Sequence, residues 1–164
     1  MGDRACVDTA SLLLPCEGLL LGCFAGGLFL VLSEALDSGY IEPRPFRVNA
    51  GAVCNYALQS GGRTAYLTEL RAGARVLLTD AGGATRDEVV GRVKLERRPL
   101  LLLEAECGGA RYAVLLQHAE TVRVATPDGS AAITDLRPGD AVLLALQAPA
   151  RHGGVAVEEA CVEK

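Results

Sequence analysis

The chain has 164 residues, a formal net charge of −4 and an aromatic content of 4%. This length suffices for one ordinary core or for two small barrels of about 60 to 80 residues each. An acidic chain without a basic stripe interleaved with aromatic residues argues against a nucleic-acid partner.

The most apolar segment, residues 19–32, is too short to span a membrane. It falls below the roughly 18 to 20 residues that a spanning helix needs, and three glycines interrupt it. The start, MGDRACVD, lacks the cationic flank and apolar core of a secretory signal. We therefore expect a cytoplasmic protein with no membrane partner.

Glycine-containing turns separate short β-like runs at the spacing of an all-β barrel or sandwich. The predicted strands cover residues 5–9, 19–24, 28–34, 75–79, 88–96, 100–106, 112–116, 121–125, 141–146 and 155–162. Only residues 66–70 and 133–136 favour short helical turns. The sequence predicts a mainly β fold, with one or more small barrel-like β domains and few short helical turns.

One pattern of acid, leucine, arginine, glycine and apolar residues occurs twice, as TELRAGARVLL at 68–78 and as TDLRPGDAVLL at 134–144. In each copy a leucine would pack under a tight turn, glycine would supply a positive φ, and a buried strand would follow. Duplication of a β module and convergent use of one turn both explain the pattern. We divide the chain into a β segment over residues 1–37 and a barrel-like C-terminal domain over residues 38–164.

The cysteines do not form a metal or disulfide framework. The six cysteines contain no C-x-x-C pair, and His118 and His152 are the only histidines. We predict no metal site from these residues, and we interpret the cysteines as buried reduced thiols.

Polar residues are concentrated in RPFRVNAGAVCNY, residues 44–56. Arg44, Arg47 and Asn49 are suited to bind an anionic small molecule from a glycine-bearing loop, because they combine charged and neutral donors. A solvated turn is the alternative interpretation.

A second charged segment is VVGRVKLERRPLLLLEAE, residues 89–106, which we predict to be a long hairpin. A period of two places Arg92, Lys94, Glu96 and Arg98 on one face of its first strand. That face is either a solvated outer surface or the wall of a cleft in which Lys94 and an arginine bind phosphate or carboxylate.

Several blocks of the chain, in the same order, resemble the C-terminal part of the 3-dehydroquinate synthase II family. The blocks are GDRACVDTASLLLPCEGLLLGCFAGGLFLVLSE, RPFRVNAGAVCNY, YLTELRAG, VVGRVKLERRPLLLLEAE, LLQHAETVRV, TDLRPGD and VEEACVEK. The family includes archaeal-type 3-dehydroquinate synthases and 3-amino-4-hydroxybenzoate synthases. The resemblance covers nearly the whole chain, and it implies that residues 1–37 are the tail of a missing N-terminal domain.

The resemblance implies an oxidoreductase of the shikimate pathway, in chorismate and aromatic amino-acid biosynthesis. The expected reaction is NAD-dependent oxidative deamination of a 2-amino-dideoxy-heptulosonate, followed by intramolecular aldol cyclisation to 3-dehydroquinate. The benzoate-forming members would instead use a related phosphorylated substrate and a divalent metal. In either reaction Arg44, Arg47, Asn49 and Arg98 would bind a small anionic sugar acid.

Three residues are candidates for catalysis, and the resemblance supports one of them. Glu34 in VLSE matches an S-E element of the family, which implies a base or a metal carboxylate, with a solvated strand end as the alternative. Glu120 in QHAETVR has the same two interpretations. Lys94 would anchor an anion or form an iminium with a carbonyl group.

The chain departs from the family pattern at three positions and in length. Leu32 and Cys54 stand where the family usually has histidines, and His118 stands where it usually has asparagine. Leucine can neither shuttle a proton nor bind a metal. Family members are about twice as long, and no G-x-G-x-x-G motif marks a dinucleotide site in these residues.

Three classes of function remain open at this stage. The first is an enzyme that acts alone, as a homodimer or with a chain that supplies the N-terminal half. The second is a catalytically incomplete module that binds a sugar acid or docks to a partner, and the third is a fragment of a longer gene product. A cytoplasmic location is expected, or a plastid if the source is an alga or a plant.

Overall fold

The computed structural model describes residues 1–36, 39, 42–148, 151–152, 154–157, 161 and 163. Fifteen strands are found among them: β1 (Gly2–Thr9), β2 (Glu17–Gly22), β3 (Gly27–Glu34), β4 (Arg44–Ala52), β5 (Tyr56–Gln59), β6 (Arg63–Tyr66), β7 (Arg75–Asp80), β8 (Thr85–Arg98), β9 (Leu100–Cys107), β10 (Ala110–Gln117), β11 (Arg123–Thr126), β12 (Gly129–Ala132), β13 (Leu144–Leu146), β14 (Arg151–His152) and β15 (Val155–Ala156). Two one-turn 3₁₀ helices, Ser60–Gly62 and Leu67–Glu69, are the helices of this part of the chain. The predicted mainly β fold with few short helical turns is confirmed.

Six strands close into an antiparallel barrel in the order β3, β4, β1, β8, β7, β2 and back to β3. Closure pairs both edges of each barrel strand over at least part of its length, which removes most of the open edge of the sheet. The barrel interior holds the largest fully buried side chains, which include Phe29, Leu19, Leu21, Leu78, Val7, Val31, Val48, Val76 and Val90.

The β2–β3 ribbon is buried on both faces, which explains the long apolar run in the sequence. Leu19 and Leu21 face the barrel interior, whereas Leu20, Leu30 and Leu32 belong to a second apolar cluster. Strands β11 and β13 pair with β3, and residues 125, 143 and 145 pack on this second cluster. A strand covered on both faces needs no polar alternation.

The predicted boundary at residue 37 does not separate two sheets. β1, β2 and β3 come from residues 1–37, and they complete the barrel with β4, β7 and β8: β1 lies between β4 and β8, and the pair of β2 and β3 lies between β7 and β4. β1 itself pairs with β4 on one side and with β8 on the other. The first strands are therefore part of the barrel, and their connection to a preceding domain stays a prediction.

The predicted hairpin over residues 89–106 is wrong. β8 pairs with β1 and β7, and β9 pairs with β10 in a separate two-stranded sheet. Asn55 connects this second sheet to the barrel, because its Nδ2 donates to the carbonyls of Ala50 at 3.1 Å and Leu115 at 2.9 Å. Strand β10 can lie this close because Gly51 has no side chain, and a Cβ there would be 2.0 Å from the Leu115 carbonyl oxygen.

The two copies of the repeated pattern share a turn, but the strands after the turn have different places in the fold. Gly73 and Gly139 both have positive φ, of 86° and 101°, and the amides of Ala74 and Asp140 donate to the carbonyls of the two arginines three residues earlier. The residues that follow the turn of the first copy form β7, which is a barrel strand. In the second copy only its last residue belongs to a strand, the three-residue β13, which lies outside the barrel. The shared feature of the two copies is thus the turn, and duplication of a β module stays a prediction.

The stretch that begins at Arg44 is a strand and not a loop. β4 lies between β3 and β1, with Val48 and Ala50 in the core. The predicted strand 155–162 is seen only as β15, and residues 158–160 and 162 lie outside the described residues. Across the described ranges, no helix has the length and apolar character needed to cross a bilayer.

Candidate functional site

One side of the barrel wall, formed by β3, β4, β1 and β8, carries a dense set of charged side chains. Ala5 and Val7 of β1 point into the core, so the alternate residues Arg4 and Asp8 lie on the outer face of the barrel. We call this surface the arginine face, and its members are Arg4, Asp8, Glu34, Arg44, Arg47, Asn49, Arg92, Lys94, Glu96 and Arg98.

Strand register brings these residues together from distant parts of the sequence. Asp8 lies opposite both Arg47 of β4 and Arg92 of β8. Arg4 lies opposite Glu96 on β8, and Glu34 lies opposite Arg44 across β3 and β4. Directly opposed residues of antiparallel strands share a face, so the four strands place their charges on one surface.

Asp8 is the buried centre of this surface. Nε and Nη2 of Arg47 donate to the two carboxylate oxygens of Asp8 at 2.7 and 2.9 Å, and Nε of Arg92 donates at 2.8 Å. Burial alone would raise the pKa of Asp8, but the hydrogen bonds from Arg47 and Arg92 hold that pKa below its usual value. The same hydrogen bonding to Asp8 raises the pKa of Arg47.

At the other end of β1, the partly exposed Glu96 binds three basic side chains. It accepts Nη2 of Arg4 at 2.7 Å and Nη2 of Arg98 at 3.0 Å, and Nζ of Lys94 lies 3.3 Å away. Arg4 also donates through Nη1 to the Sγ of Cys6. Burial raises the pKa of the Cys6 thiol although Arg4 and Arg47 oppose this shift.

Two polar atoms in the middle of this surface have no hydrogen-bond partner among the described residues. They are Oδ1 of Asn49 and Nε of Arg4, and both residues are buried. The amide nitrogen of Asn49 does have a partner, since it donates to Oε1 of Gln117 at 2.9 Å. A buried acceptor and a buried donor of this kind are commonly satisfied by an ordered water molecule.

The cations around these buried groups remain accessible to a ligand. The side chains of Arg44, Arg92, Lys94 and Arg98 are 41%, 61%, 48% and 46% exposed. Six basic and three acidic side chains give the arginine face a net charge of +3 on a chain whose total is −4. Such a local excess of positive charge attracts small anions.

Six of the predicted site residues lie together on the arginine face: Glu34, Arg44, Arg47, Asn49, Lys94 and Arg98. Glu120 lies elsewhere, with an exposed side chain in the turn after β10, and it takes part in none of the contacts described above. Asp8 binds Arg47 in bidentate fashion through Nε and Nη2, so these two donors fix the guanidinium on the arginine face, and a role of Arg47 in substrate binding stays a prediction.

Sequence reasoning missed the buried part of the arginine face. It included residue 8 in a predicted strand without giving Asp8 a role in the site, whereas Asp8 is 4% exposed within β1 and binds two arginines. The signal was present in RACVD, where Arg4, Cys6 and Asp8 alternate with small apolar residues. The interpretation of the cysteines as buried thiols is also corrected, because Cys6 is buried but Cys16, Cys54, Cys107 and Cys161 are exposed.

The two positions where the resemblance implies histidine have different surroundings. Leu32 belongs to the second apolar cluster, and Cys54 is exposed in the turn between β4 and β5. Neighbouring Cys23 is a poor thiolate, because burial raises its pKa to about 11. No group of three or more His, Cys, Asp and Glu side chains suited to a metal ion occurs in the described part of the chain.

The described residues do not fit a dinucleotide site of the Rossmann kind. That site needs a helix of several turns whose first amides bind the pyrophosphate. The helices of the described ranges are single 3₁₀ turns, and the sheet around them is antiparallel.

The lowered pKa of Asp8 predicts a specific loss of stability in acid. Because the pKa of Asp8 is lower in the folded than in the unfolded protein, its ionised form stabilises the fold. This stabilisation is complete above the ordinary pKa of an aspartate, about 3.9, and it is lost as the pH falls through the lowered pKa. We expect the urea concentration at the midpoint of unfolding to be constant near neutral pH and to decrease at pH values below about 4. Asp8→Asn should show a shallower decline over the same pH range. Parallel pH profiles for the two proteins would contradict this assignment.

Comparison with known proteins gives the family. Residues 1–164 match the pattern of the 3-dehydroquinate synthase II C-terminal domain. The chain is 49% identical to the 3-dehydroquinate synthase of Methanospirillum hungatei and 52% identical to that of Methanoculleus marisnigri, over 100% of this chain and 50% of each relative. It is 49% identical to the protein of the same name from Methanocaldococcus jannaschii, over 99% of this chain and 45% of the relative.

These matches also show what the chain spans. It covers about half the length of the curated relatives it matches. No solved structure matches the chain. Because the match to the C-terminal domain runs from the first residue to the last, the chain belongs to the 3-dehydroquinate synthase II family, as its C-terminal domain.

Proposed function

We propose that this chain is the substrate-anion-binding half of a 3-dehydroquinate synthase of the second type, in aromatic amino-acid biosynthesis. The observation that carries the proposal is the arginine face, where the half-exposed cations Arg44, Lys94 and Arg98 share one surface of the barrel. A small sugar acid offers a carboxylate to these cations. The curated relatives carry the name of this activity.

Within this proposal the exposed side chains hold and orient the substrate. Arg44 and Arg98 reach it as guanidinium forks, which match a carboxylate in two parallel hydrogen bonds. Lys94 acts as an anchoring cation, since its half-exposed position beside Glu96 does not resemble the desolvated pocket of a lysine nucleophile. Glu34, at 3.5 Å from Arg44, is the carboxylate on this surface best placed to receive a substrate proton.

The full reaction is the NAD-dependent oxidative deamination of a 2-amino-dideoxy-heptulosonate and its cyclisation to 3-dehydroquinate. NAD would accept the hydride of the deamination. Because the described residues do not fit a Rossmann-type site, we assign cofactor binding to the half that the curated relatives carry in addition. A binding or docking module without catalysis is the alternative, favoured by the loss of imidazoles at Leu32 and Cys54.

The test uses the chain alone and a chimera in which the N-terminal half of the Methanospirillum hungatei relative precedes Met1. Each protein is incubated with NAD and the amino-heptulosonate, and 3-dehydroquinate is detected by mass spectrometry and NADH by absorbance. We expect both products from the chimera. Substrate binding by the chimera without either product would establish the binding module instead.

Lys94→Gln should weaken binding of the sugar acid to the chimera by about tenfold, which corresponds to about 1.4 kcal/mol. Arg97→Gln is the matched control. Arg97 is also an exposed cation on β8, but it lies between Glu96 and Arg98 and therefore does not belong to the alternating set that forms the arginine face. Calorimetric titration measures both affinities. Equal affinities for the two variants would show that the arginine face does not bind this substrate.

A further inference from the structure

The loop between β1 and β2, residues 10–16, exposes apolar side chains at one end of the barrel. Leu12 is 68% exposed and Leu14 is 61% exposed, and Pro15 and Cys16 beside them are exposed as well. The loop sequence ASLLLPC contains no charged residue. A cluster of this kind marks an interaction surface more often than a solvated turn.

The loop is held in place, so its exposed leucines are presented in a fixed geometry. Leu13 is buried in the barrel core, and its amide donates to the Pro45 carbonyl at 2.5 Å. The Leu14 amide donates to Oε2 of Glu17 at 2.8 Å, and the Leu12 carbonyl accepts Nη2 of Arg86 at 3.1 Å. A preorganised apolar pair loses little freedom when a partner covers it.

The loop also borders the arginine face. Its contact with Pro45 joins it to the beginning of β4, next to Arg44. The hydroxyl of Ser33, the neighbour of Glu34, donates to the Leu14 carbonyl at 3.2 Å. A domain seated on this loop would therefore lie beside the candidate site.

We propose that the loop over residues 10–16 is the surface on which the N-terminal half of the enzyme docks, with Leu12 and Leu14 as its apolar anchors. This inference rests on the proposed function. It commits to that occupant because the chain matches a C-terminal domain and spans half of its curated relatives. The docked half would exclude water from the adjoining anion site.

Cys16 gives a probe of this docking that needs no substitution. Cys16 is exposed in the loop, and Cys107 is exposed at the far end of β9. We expect the alkylation rate of Cys16, followed by peptide mass spectrometry, to be at least tenfold lower in the chimera than in the chain alone. The rate for Cys107 should be the same in both proteins.

The variant Leu12→Ser with Leu14→Ser should restore the labelling of Cys16 in the chimera. Leu146→Ser is the control, because Leu146 is 55% exposed on β13, and it should leave Cys16 protected. Unprotected Cys16 in a chimera that turns over substrate would overturn the docking surface and leave the proposed function intact. Protected Cys16 in a chimera that neither turns over nor binds the substrate would overturn the proposed function and leave the docking surface intact.

Self-association provides a further way to refute the proposal. If Cys16 in the chain alone becomes protected as the protein concentration rises, a second copy occupies the loop and the assignment to the N-terminal half is wrong. Labelling that is independent of concentration is the expected result.

Discussion

Replacing Asp8 with asparagine is expected to lower the free energy of unfolding by about 3 to 5 kcal/mol, because it removes one partner of a buried ion pair. Asp8 is 4% exposed and neutralises Arg47, whose side chain is 12% exposed, together with the outer Arg92. Asparagine keeps the shape of the side chain but leaves the buried guanidinium without a counter-charge. Urea unfolding at neutral pH measures the change.

Asp87→Asn is the matched control for this substitution. Asp87 lies 3.7 Å from Arg75, and the two side chains are 38% and 61% exposed, so we expect a loss below about 1 kcal/mol. The double variant Asp8→Asn with Arg47→Gln should recover part of the loss, since no buried charge then lacks its partner. If Asp8→Asn costs no more than Asp87→Asn, the arginine face is not a stabilising network.

Gly51→Ala is expected to cost about 2 to 5 kcal/mol, through strain of the backbone and through contact with β10. Gly51 has a φ of 82°, and an added Cβ would lie 2.0 Å from the Leu115 carbonyl oxygen. That carbonyl also accepts the side-chain amide of Asn55, so a shift of β10 would break this hydrogen bond. Urea unfolding gives the stability, and amide exchange of Leu115 reports the position of β10.

The control for Gly51 is Gly83→Ala, which has the same backbone strain without the contact. Gly83 has a φ of 83° and no heavy atom within 4 Å of its added Cβ. We expect this variant to lose only about 1 to 2 kcal/mol. Similar losses at the two positions would show that β10 does not depend on the missing side chain at Gly51.

The strands of this fold were largely predictable because their signals are local. Residues 28–34 and 75–79 were predicted within one residue of β3 and β7 at each end, since apolar runs bounded by glycine or acidic residues give the period and the boundaries. Strand β4 was missed because Pro45, Gly51 and two asparagines gave turn signals. The alternation of polar and apolar residues over Arg47, Val48, Asn49 and Ala50 does indicate a strand.

Partner choice between strands was not predictable, and neither was the buried part of the site. β1 and β8 are separated by most of the barrel sequence, and no local pattern states that Asp8 will face Arg92. The donor chemistry of residues 44–56 indicated Arg44, Arg47 and Asn49, but strand pairing decides that Arg47 binds the buried Asp8 while the side chain of Arg44 is 41% exposed. Burial that results from such pairing is a property of the assembled sheet.

The pairing of β1 with β8 also fixes when this domain can fold during its synthesis. Gly2 pairs with Arg98 and Thr9 pairs with Val90, so the first strand has no neighbour on that side until the ribosome has released β8. Pairings of such long sequence separation close slowly and leave strand edges exposed to other chains in the meantime. In a longer protein, a preceding half has left the ribosome, and can already be folded, while this barrel is still open.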